Sequence, residues 1–279
     1  MSDSQRPELL LDGETAFSQR SGTGHPDMVD THCHLTDPRL LQQIDAVLAR
    51  AAAAGVNRMI TVGTSIADAR ATIDLCTRHP QLRCAVGLHP NYCQDAQPDD
   101  VAVLRDLQVS PTVVALGEMG LDYHYDFCPR DRQRRFFQAQ LALAAELRRK
   151  VVLHCRDAVS DTLAILQDYP VTGVFHCFTG TPSDAEAILA AGHWISYTGV
   201  ITFRKNQALR DCIRMTPRDR LMVETDAPYL APEPFRSRKV NEPALVVHTA
   251  AVVARQWGAT PEEVDQITTA NAARFFGRW

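Results

Sequence analysis

The sequence has no excess of positive charge. Its 29 Lys and Arg residues are outnumbered by 33 Asp and Glu residues, and the formal net charge is -4. A protein that coats nucleic acid by neutralising its phosphates needs a broadly basic surface. The composition therefore excludes a coating protein of this kind, and any contact with nucleic acid is expected to be local.

Paired cysteines and long apolar segments are also absent. The eight cysteines lie between positions 33 and 212 without a CxxC pair, which favours reduced thiols in a cytosol over a disulfide framework. The opening residues, MSDSQRPELLLDGE, contain neither the basic nor the apolar part of a signal peptide, and no apolar run is long enough to cross a bilayer. We expect a cytoplasmic protein with no membrane partner, and a monomer in the simplest case.

Residues 1–27 differ in composition from the rest of the chain. They are rich in Ser, Gly, Asp, Glu and Pro and contain few apolar residues, so they are predicted to form a mobile N-terminal extension. A chain of 279 residues, 45% of them apolar, is long enough to bury one full core. Residues 28–279 are therefore predicted to form a single domain.

Short apolar runs alternate with longer amphipathic stretches from Met28 onward. The runs are 28–35, 58–64, 83–90, 112–120, 150–157, 172–180, 193–200 and 220–228. The stretches between them repeat apolar residues at helical spacing, a pattern typical of successive βα units. Eight such units predict a (β/α)₈ TIM barrel, with two further helices after the last strand. An open doubly wound sheet is the alternative, but it would not carry polar tips on nearly every strand.

Polar side chains stand at the ends of six of these runs. They are His32 and His34, His89, Glu118, His154, His176 and Asp226. The carboxyl ends of TIM-barrel strands converge on one face, where catalytic groups lie. Nitrogen and carboxylate ligands meeting at one rim are the donors that Zn²⁺ or Mn²⁺ binds. Because His32 and His34 alternate around Cys33, both are expected to point towards the barrel centre.

Each of these residues also has an ordinary structural explanation. An HxH pair can be two hydrogen-bonded surface histidines, and Glu118 can pair with an arginine. His154 and His176 can be core histidines, while Glu224 or Asp226 can cap a turn. These explanations would have to hold together at five strand ends, whereas one metal site accounts for all of them. Two-metal clusters are suited to the hydrolysis of phosphate esters.

From Met28 to Gly277 the chain resembles the TatD family of metal-dependent deoxyribonucleases. The motifs that carry the resemblance are VDTHCHL, GLHP, ALGEMGLDYH, LHCRDA, FHCFTG, ETDAPYL, NEP and NAARFF. The chain departs from the family after the eighth run, where Phe235-Arg236-Ser237 stands in place of Tyr-Arg-Gly. Barrel hydrolases related to dihydroorotase or phosphotriesterase use a carbamylated lysine on the fourth strand. Here that strand ends in Glu118, which argues against both.

The resemblance implies two divalent ions per subunit, with zinc, manganese or magnesium as the candidates. The first ion would be held by His32, His34, Glu118 and Asp226. The second would be held by Glu118, His154 and His176, so that Glu118 bridges the two.

Three of the strand-end residues are candidates for catalysis. Glu118 would be shared by the two cations. Asp226 is the candidate general base, because carboxylates beside cations stay ionised. His89 is not a ligand in the resemblance. It is predicted to contact the substrate phosphate or to protonate the leaving group, with a hydrogen bond to a ligand as the alternative.

Other loop residues are candidates for substrate binding. They are Asp122, His124, Arg204, Lys205 and Arg236. The loops after the seventh and eighth strands commonly bind phosphate in this fold. Aromatic residues able to stack an unpaired base, or to pack in the core, are Tyr92, Tyr123, Phe178, Tyr197, Phe203 and Phe235.

The predicted function is a divalent-metal-dependent nuclease that cleaves phosphodiester bonds at DNA or RNA ends. The alternative is hydrolysis of a small ester or amide, including the removal of D-amino acids from tRNA. A binding module without activity is disfavoured because the ligand set is complete.

Overall fold

A computed structural model of the protein describes residues 27–278. The predicted extension lies outside the described residues except for Asp27, whose carboxylate pairs with Arg58 at 2.5 Å. None of the described helices is both long and apolar enough to cross a membrane.

Eight parallel strands form one sheet in chain order. They are β1 (Met28–Cys33), β2 (Val56–Gly63), β3 (Leu82–Val86), β4 (Val113–Asp122), β5 (Val151–Arg156), β6 (Gly173–Phe175), β7 (Trp194–Tyr197) and β8 (Leu221–Val223). The chain after β8 returns to β1: Asp226 N donates to His32 O at 2.9 Å and His34 N donates to Ala227 O at 2.7 Å. These bonds close the sheet, which confirms the barrel and rules out the open alternative.

Helices cover the outside of the barrel. They are α1 (Pro38–Leu41), α2 (Ile44–Ala53), α3 (Ile66–Arg78), α4 (Asp100–Leu107), α5 (Arg130–Leu147), α6 (Val159–Leu166), α7 (Pro182–Ala190), α8 (Gln207–Met215), α9 (Val246–Trp257) and α10 (Pro261–Phe276). Helices α7 and α10 begin at capping boxes formed by Thr181 and Thr260, each followed by proline. Gly258 ends α9 with a φ of 61°.

The last helix packs against the residues that fill the barrel interior. Phe275 and Phe276 of α10 belong to the same buried cluster as Val29, Val152 and other strand residues. Asn271 Nδ2 donates to the carbonyl oxygens of Arg218 and Leu221, each at 2.7 Å. Since these carbonyls lie where β8 begins, α10 closes the amino end of the barrel and leaves the opposite end for the polar strand tips.

Strands β4 and β5 approach closely at Gly120. Its φ is 147°, and an added Cβ would overlap the carbonyl oxygen of His154. We expect Gly120→Ala to reduce the free energy of unfolding by at least about 2 kcal/mol, since it adds both strain and overpacking. Urea denaturation measures the loss.

Gly192→Ala is the matched control for this substitution. Gly192 also has a positive φ, 85°, but an added Cβ would meet no heavy atom within 4 Å. The control should cost only the conformational term of about 1–2 kcal/mol. Equal losses in the two variants would contradict the close approach of β4 to β5.

Candidate metal centre

The strand tips surround a cavity of about 810 Å³ at the carboxyl end of the barrel. His34, Glu118, His154, His176 and Asp226 all line it. His32 lies beneath them and is fully buried. The structure therefore brings together all six side chains that the resemblance implies as ligands.

Glu118 is at the centre of the cluster and is 2% exposed. Its Oε1 atom lies 2.8 Å from His154 Nδ1 and 2.8 Å from His176 Nε2. Its Oε2 atom lies 3.5 Å from His32 Nε2. The two carboxylate oxygens thus face two different groups of histidines, which is the arrangement that a bridging carboxylate requires.

His32, His34 and Asp226 form the group on the Oε2 side. His34 Nε2 lies 3.3 Å from His32 Nε2 and 3.3 Å from Asp226 Oδ1. The three ligand atoms lie within 4.8 Å of one another. Cys33 faces away from them and donates its thiol to Ile60 O at 3.4 Å, as the alternation along β1 predicts.

Hydrogen bonds orient the histidine rings of the centre. His34 Nδ1 lies 3.3 Å from Val62 O, and His154 Nε2 lies 2.9 Å from Asp122 Oδ2. His176 Nδ1 lies 3.2 Å from Glu224 Oε1. When these nitrogens carry the ring proton, the opposite nitrogens present lone pairs to the centre, as metal-ligating histidines do. The His32 ring is instead stacked on His176, with centroids 3.8 Å apart.

Two buried carboxylates contact the histidines His154 and His176 on the side away from Glu118. Asp122, the last residue of β4, accepts hydrogen bonds from the backbone N–H groups of His124 and Tyr125, each at 3.0 Å. Glu224 accepts from Ser196 Oγ and from Cys177 N, each at 2.6 Å. Asp122 lines the cavity but is held against His154. The sequence predicts no role for Glu224 beyond capping a turn, because nothing in ETDAP indicates which of its two acids faces His176.

Charge in this cluster is balanced internally when no cation is bound. Burial opposes ionisation of Glu118, but the neighbouring charge of His176 and the hydrogen bonds of His154 and His176 hold its pKa well below the ordinary range. Burial likewise disfavours the charged form of His176, but the Glu118 charge and hydrogen bond raise its pKa well above 6.5. Protons on the histidines therefore take the place that a cation would fill.

We expect metal binding to stabilise the protein more strongly as the pH rises above about 6.5. Protonated histidines with raised pKa values stabilise the metal-free protein below that pH, and this contribution is lost as the pH rises through their raised values. A cation must also displace these protons. For one displaced proton, the difference in Tm between metal-loaded and chelator-treated protein should widen by about 3–5 °C per pH unit. A difference that is constant with pH would contradict this coupling.

His89 lies beside the centre in a different hydrogen-bonding state. Its Nδ1 atom accepts the backbone N–H of Asn91 at 3.1 Å, so the neutral ring carries its proton on Nε2. Burial, together with the neighbouring His154, lowers the pKa of His89 against the opposing effect of Glu118. His89 Nε2 lies 3.4 Å from Glu118 Oε1. A neutral ring in this tautomer offers an N–H donor rather than a metal ligand.

The predicted cationic loops do not reach the cavity. Three exposed cationic residues are absent from its lining: Arg204, Lys205 and Arg236. The guanidinium carbon of Arg236 lies 4.2 Å from the centroid of the Phe203 ring. His124 is also outside the lining, with its Nδ1 atom 3.1 Å from Asp157 Oδ2. Among the described residues, the cationic side chain in the lining is Arg156 of β5. Its place within the LHCRDA motif was the available signal.

The chain matches the family described as TatD related DNase over residues 29–277. It belongs to the TatD family. This family of metal-dependent hydrolases fits the structure, because nitrogen and oxygen donors from five strand ends meet around the Glu118 carboxylate.

The similarity to individual relatives extends over nearly the full length of both chains. The "uncharacterized metal-dependent hydrolase YcfH" of Escherichia coli K12 is 42% identical over 255 residues, which are 89% of this chain and 95% of that protein. The "3'-5' ssDNA/RNA exonuclease TatD" of Erwinia billingiae is 39% identical over 257 residues, covering 89% and 98%. Among solved structures, the TatD homolog YJJV of Escherichia coli is 29% identical with a TM-score of 0.86, covering 91% of this chain and 99% of that one.

Proposed function

We propose that this TatD-family hydrolase cleaves phosphodiester bonds at the ends of DNA or RNA through a dinuclear metal centre. The observation that carries the proposal is the division of the Glu118 carboxylate between two groups of ligands. Paired cations are suited to phosphate chemistry because they stabilise both the attacking and the leaving oxygen. The relative from Erwinia billingiae is named as an exonuclease acting on single-stranded DNA and RNA.

Each predicted ligand has a place in this centre. When bound, two divalent ions would supply Lewis acidity that activates water and neutralises charge on the phosphate. They would be held by His32, His34 and Asp226 on one side and by His154 and His176 on the other, with Glu118 between them.

Asp226 is positioned to accept the proton of the attacking water. Burial disfavours its charged form, but the hydrogen bond with His34 and the nearby His176 and His32 lower its pKa, so the carboxylate is ionised at neutral pH. Its side chain is 14% exposed and lines the cavity. It can therefore reach a water molecule that approaches through the mouth.

His89 is positioned to hold the substrate. Its neutral ring lines the cavity with Nε2–H beside His154 Nδ1 at 3.2 Å and Glu118 Oε1 at 3.4 Å, and this N–H group could instead donate to the oxygen of a phosphate bound at the centre. This contact would fix the phosphate relative to the Asp226 carboxylate.

A substrate panel tests the proposal. The purified protein is stripped with chelator and reloaded with Mg²⁺, Mn²⁺ or Zn²⁺. It is then assayed on single-stranded DNA, RNA, duplex DNA, a nitrophenyl ester and a D-aminoacyl-tRNA. We expect hydrolysis of single-stranded ends, restored by metal and accompanied by two ions per chain. Turnover of the ester or the charged tRNA alone would replace the nuclease by the alternative function.

The state of the cysteines supports a location for this enzyme. The eight cysteines are all free thiols, which suits the reducing cytoplasm. We infer a cytoplasmic enzyme that acts as a monomer, and gel filtration of the purified protein tests its assembly state.

A further inference from the structure

The exposed aromatic side chains are concentrated at the cavity mouth. Within residues 27–278, the aromatic side chains classed as exposed are Tyr92 (54%), Tyr125 (44%), Phe127 (62%) and Tyr229 (46%). All of them line the cavity that contains the metal centre. Apolar groups clustered at one functional opening indicate contact with a ligand, whereas single exposed aromatic residues scattered over a surface would not.

Tyr125 and Phe127 form an ordered pair within this rim. Their rings are stacked, with centroids 5.2 Å apart and planes inclined by 23°. The loop that carries them is anchored at both ends: Tyr125 N donates to Asp122 Oδ1 at 3.0 Å, and Gln133 Nε2 donates to Cys128 O at 2.9 Å. The rings are therefore held in place before any ligand arrives, which reduces the entropy lost on binding.

A cation accompanies the aromatic pair. The Arg156 guanidinium lies 5.3 Å from the centroid of the Tyr125 ring, and Arg156 is exposed within the cavity lining. Arg156 follows the ligand His154 by two positions along β5. A flat apolar surface beside a guanidinium and a metal centre matches a ligand with a planar π system joined to an anion.

An unpaired nucleotide has this combination of groups. Bases stack on aromatic rings regardless of sequence, and arginine binds the adjoining phosphate. A base inside a duplex is covered on both faces by its neighbours and tied to its partner, whereas an unpaired base at a strand end can turn a free face to Phe127. A small ester has no need of a stacking surface at the rim.

We propose that Tyr125 and Phe127 form a stacking subsite for an unpaired nucleobase, with Arg156 as the contact for the neighbouring phosphate. The proposal rests on the proposed function and specifies its substrate as single-stranded nucleic acid. It predicts recognition of a base as a flat surface, without selection for its identity.

Kinetics on paired substrates test the subsite. The metal-loaded enzyme is assayed on an oligothymidylate and on the same strand with abasic residues at its ends. We expect kcat/KM for the base-bearing strand to exceed that for the abasic strand by about 5- to 150-fold, the value of one stacked base. Phe127→Ala should remove most of this preference by slowing cleavage of the base-bearing strand, while Phe127→Tyr should retain it.

Two further variants serve as comparisons. One removes the cation beside the aromatic pair, and the other is a surface control away from the cavity. Arg156→Ala should slow cleavage of both strands alike. The slope of log K, the binding constant for the strand, against log salt concentration should become shallower by about 0.7, the value for one lost phosphate contact. Val109 is an apolar residue that precedes β4 and is 86% exposed. Val109→Ala should therefore behave as wild type. Equal base-to-abasic ratios in wild type and Phe127→Ala would overturn the subsite even if both enzymes cut DNA.

Binding provides a readout that does not depend on cleavage. A strand carrying 2-aminopurine at its end loses fluorescence when that base stacks. Quenching by wild type and by Phe127→Tyr, but not by Phe127→Ala, would support the subsite even if no phosphodiester were cut, in which case the proposed function alone would fail. Absence of quenching by a wild-type enzyme that cleaves the strand would overturn the subsite and leave the nuclease intact.

Discussion

Glu118→Gln is expected to abolish nearly all turnover and to leave the protein with fewer than two ions. The substitution keeps the shape of the side chain but removes its negative charge. In the native side chain one carboxylate oxygen faces His32, and the other faces His154 and His176. The amide also replaces one carboxylate oxygen, and its lone pairs, by an NH₂ group that can only donate hydrogen bonds. Because charge stabilisation is the main catalytic contribution of such a centre, we expect the rate to fall by more than about 10³-fold. Metal analysis beside an oligonucleotide assay measures both effects.

Glu224→Gln is the matched control for this experiment. Glu224 is also buried and lies beside His176, but it contacts the ring nitrogen that faces away from Glu118. Loss of such a supporting contact typically costs about 10–100-fold in metal affinity, so activity should return at higher metal concentration. Thermal unfolding of both variants verifies that they are folded. Two tightly bound ions and ordinary activity in Glu118→Gln would refute the dinuclear centre.

His89→Ala is expected to slow cleavage by about 10²–10³-fold, the usual cost of losing one positioned donor to a developing charge. Its metal content should remain that of wild type, because the neutral ring presents an N–H group rather than a lone pair. Since burial lowers the pKa of His89 and keeps it neutral, the pH profile of the variant should keep its wild-type shape. Metal analysis and pH-dependent kinetics measure these outcomes.

His89→Gln is the conservative partner of that variant. Glutamine can present an N–H donor to the cavity, so it should recover part of the lost rate. Loss of an ion in either variant would make His89 a ligand, as its position within reach of Glu118 and His154 permits. Loss of a basic limb from the pH profile would show instead that His89 acts as a proton donor.

The electrostatic state of the centre depends on atoms that sequence spacing cannot place. Val62 O, Asp122 and Glu224 determine which nitrogen of each contacting histidine faces the cavity. Those partners come from other strands, up to 48 positions away in the case of Glu224 and His176. A ring tautomer follows from a contact in three dimensions, and no residue pattern reports it.

The residues that line the cavity mouth cannot be predicted from strand periodicity. The usual phosphate-binding loops of TIM barrels predict Arg204, Lys205 and Arg236 as substrate contacts, and the structure leaves them outside the cavity lining. Tyr123 is half-buried, and Phe178 and Tyr197 are buried. Arg156 and Phe127 line the mouth instead. Side chains on irregular loops have no fixed periodicity, so their direction cannot be predicted from neighbouring residues.

The sequence alone determined the barrel and the side chains that meet at its centre. Apolar runs of strand length require burial, and the polar residues at six of the carboxyl ends must face the common opening once eight parallel strands close. Only the tertiary structure decided how those side chains divide around Glu118, which His89 nitrogen carries the proton, and which cation and aromatic rings reach the mouth. The difference is physical: strand geometry repeats every two residues and can be read along the chain, whereas hydrogen-bond partners and loop directions arise from packing between distant segments.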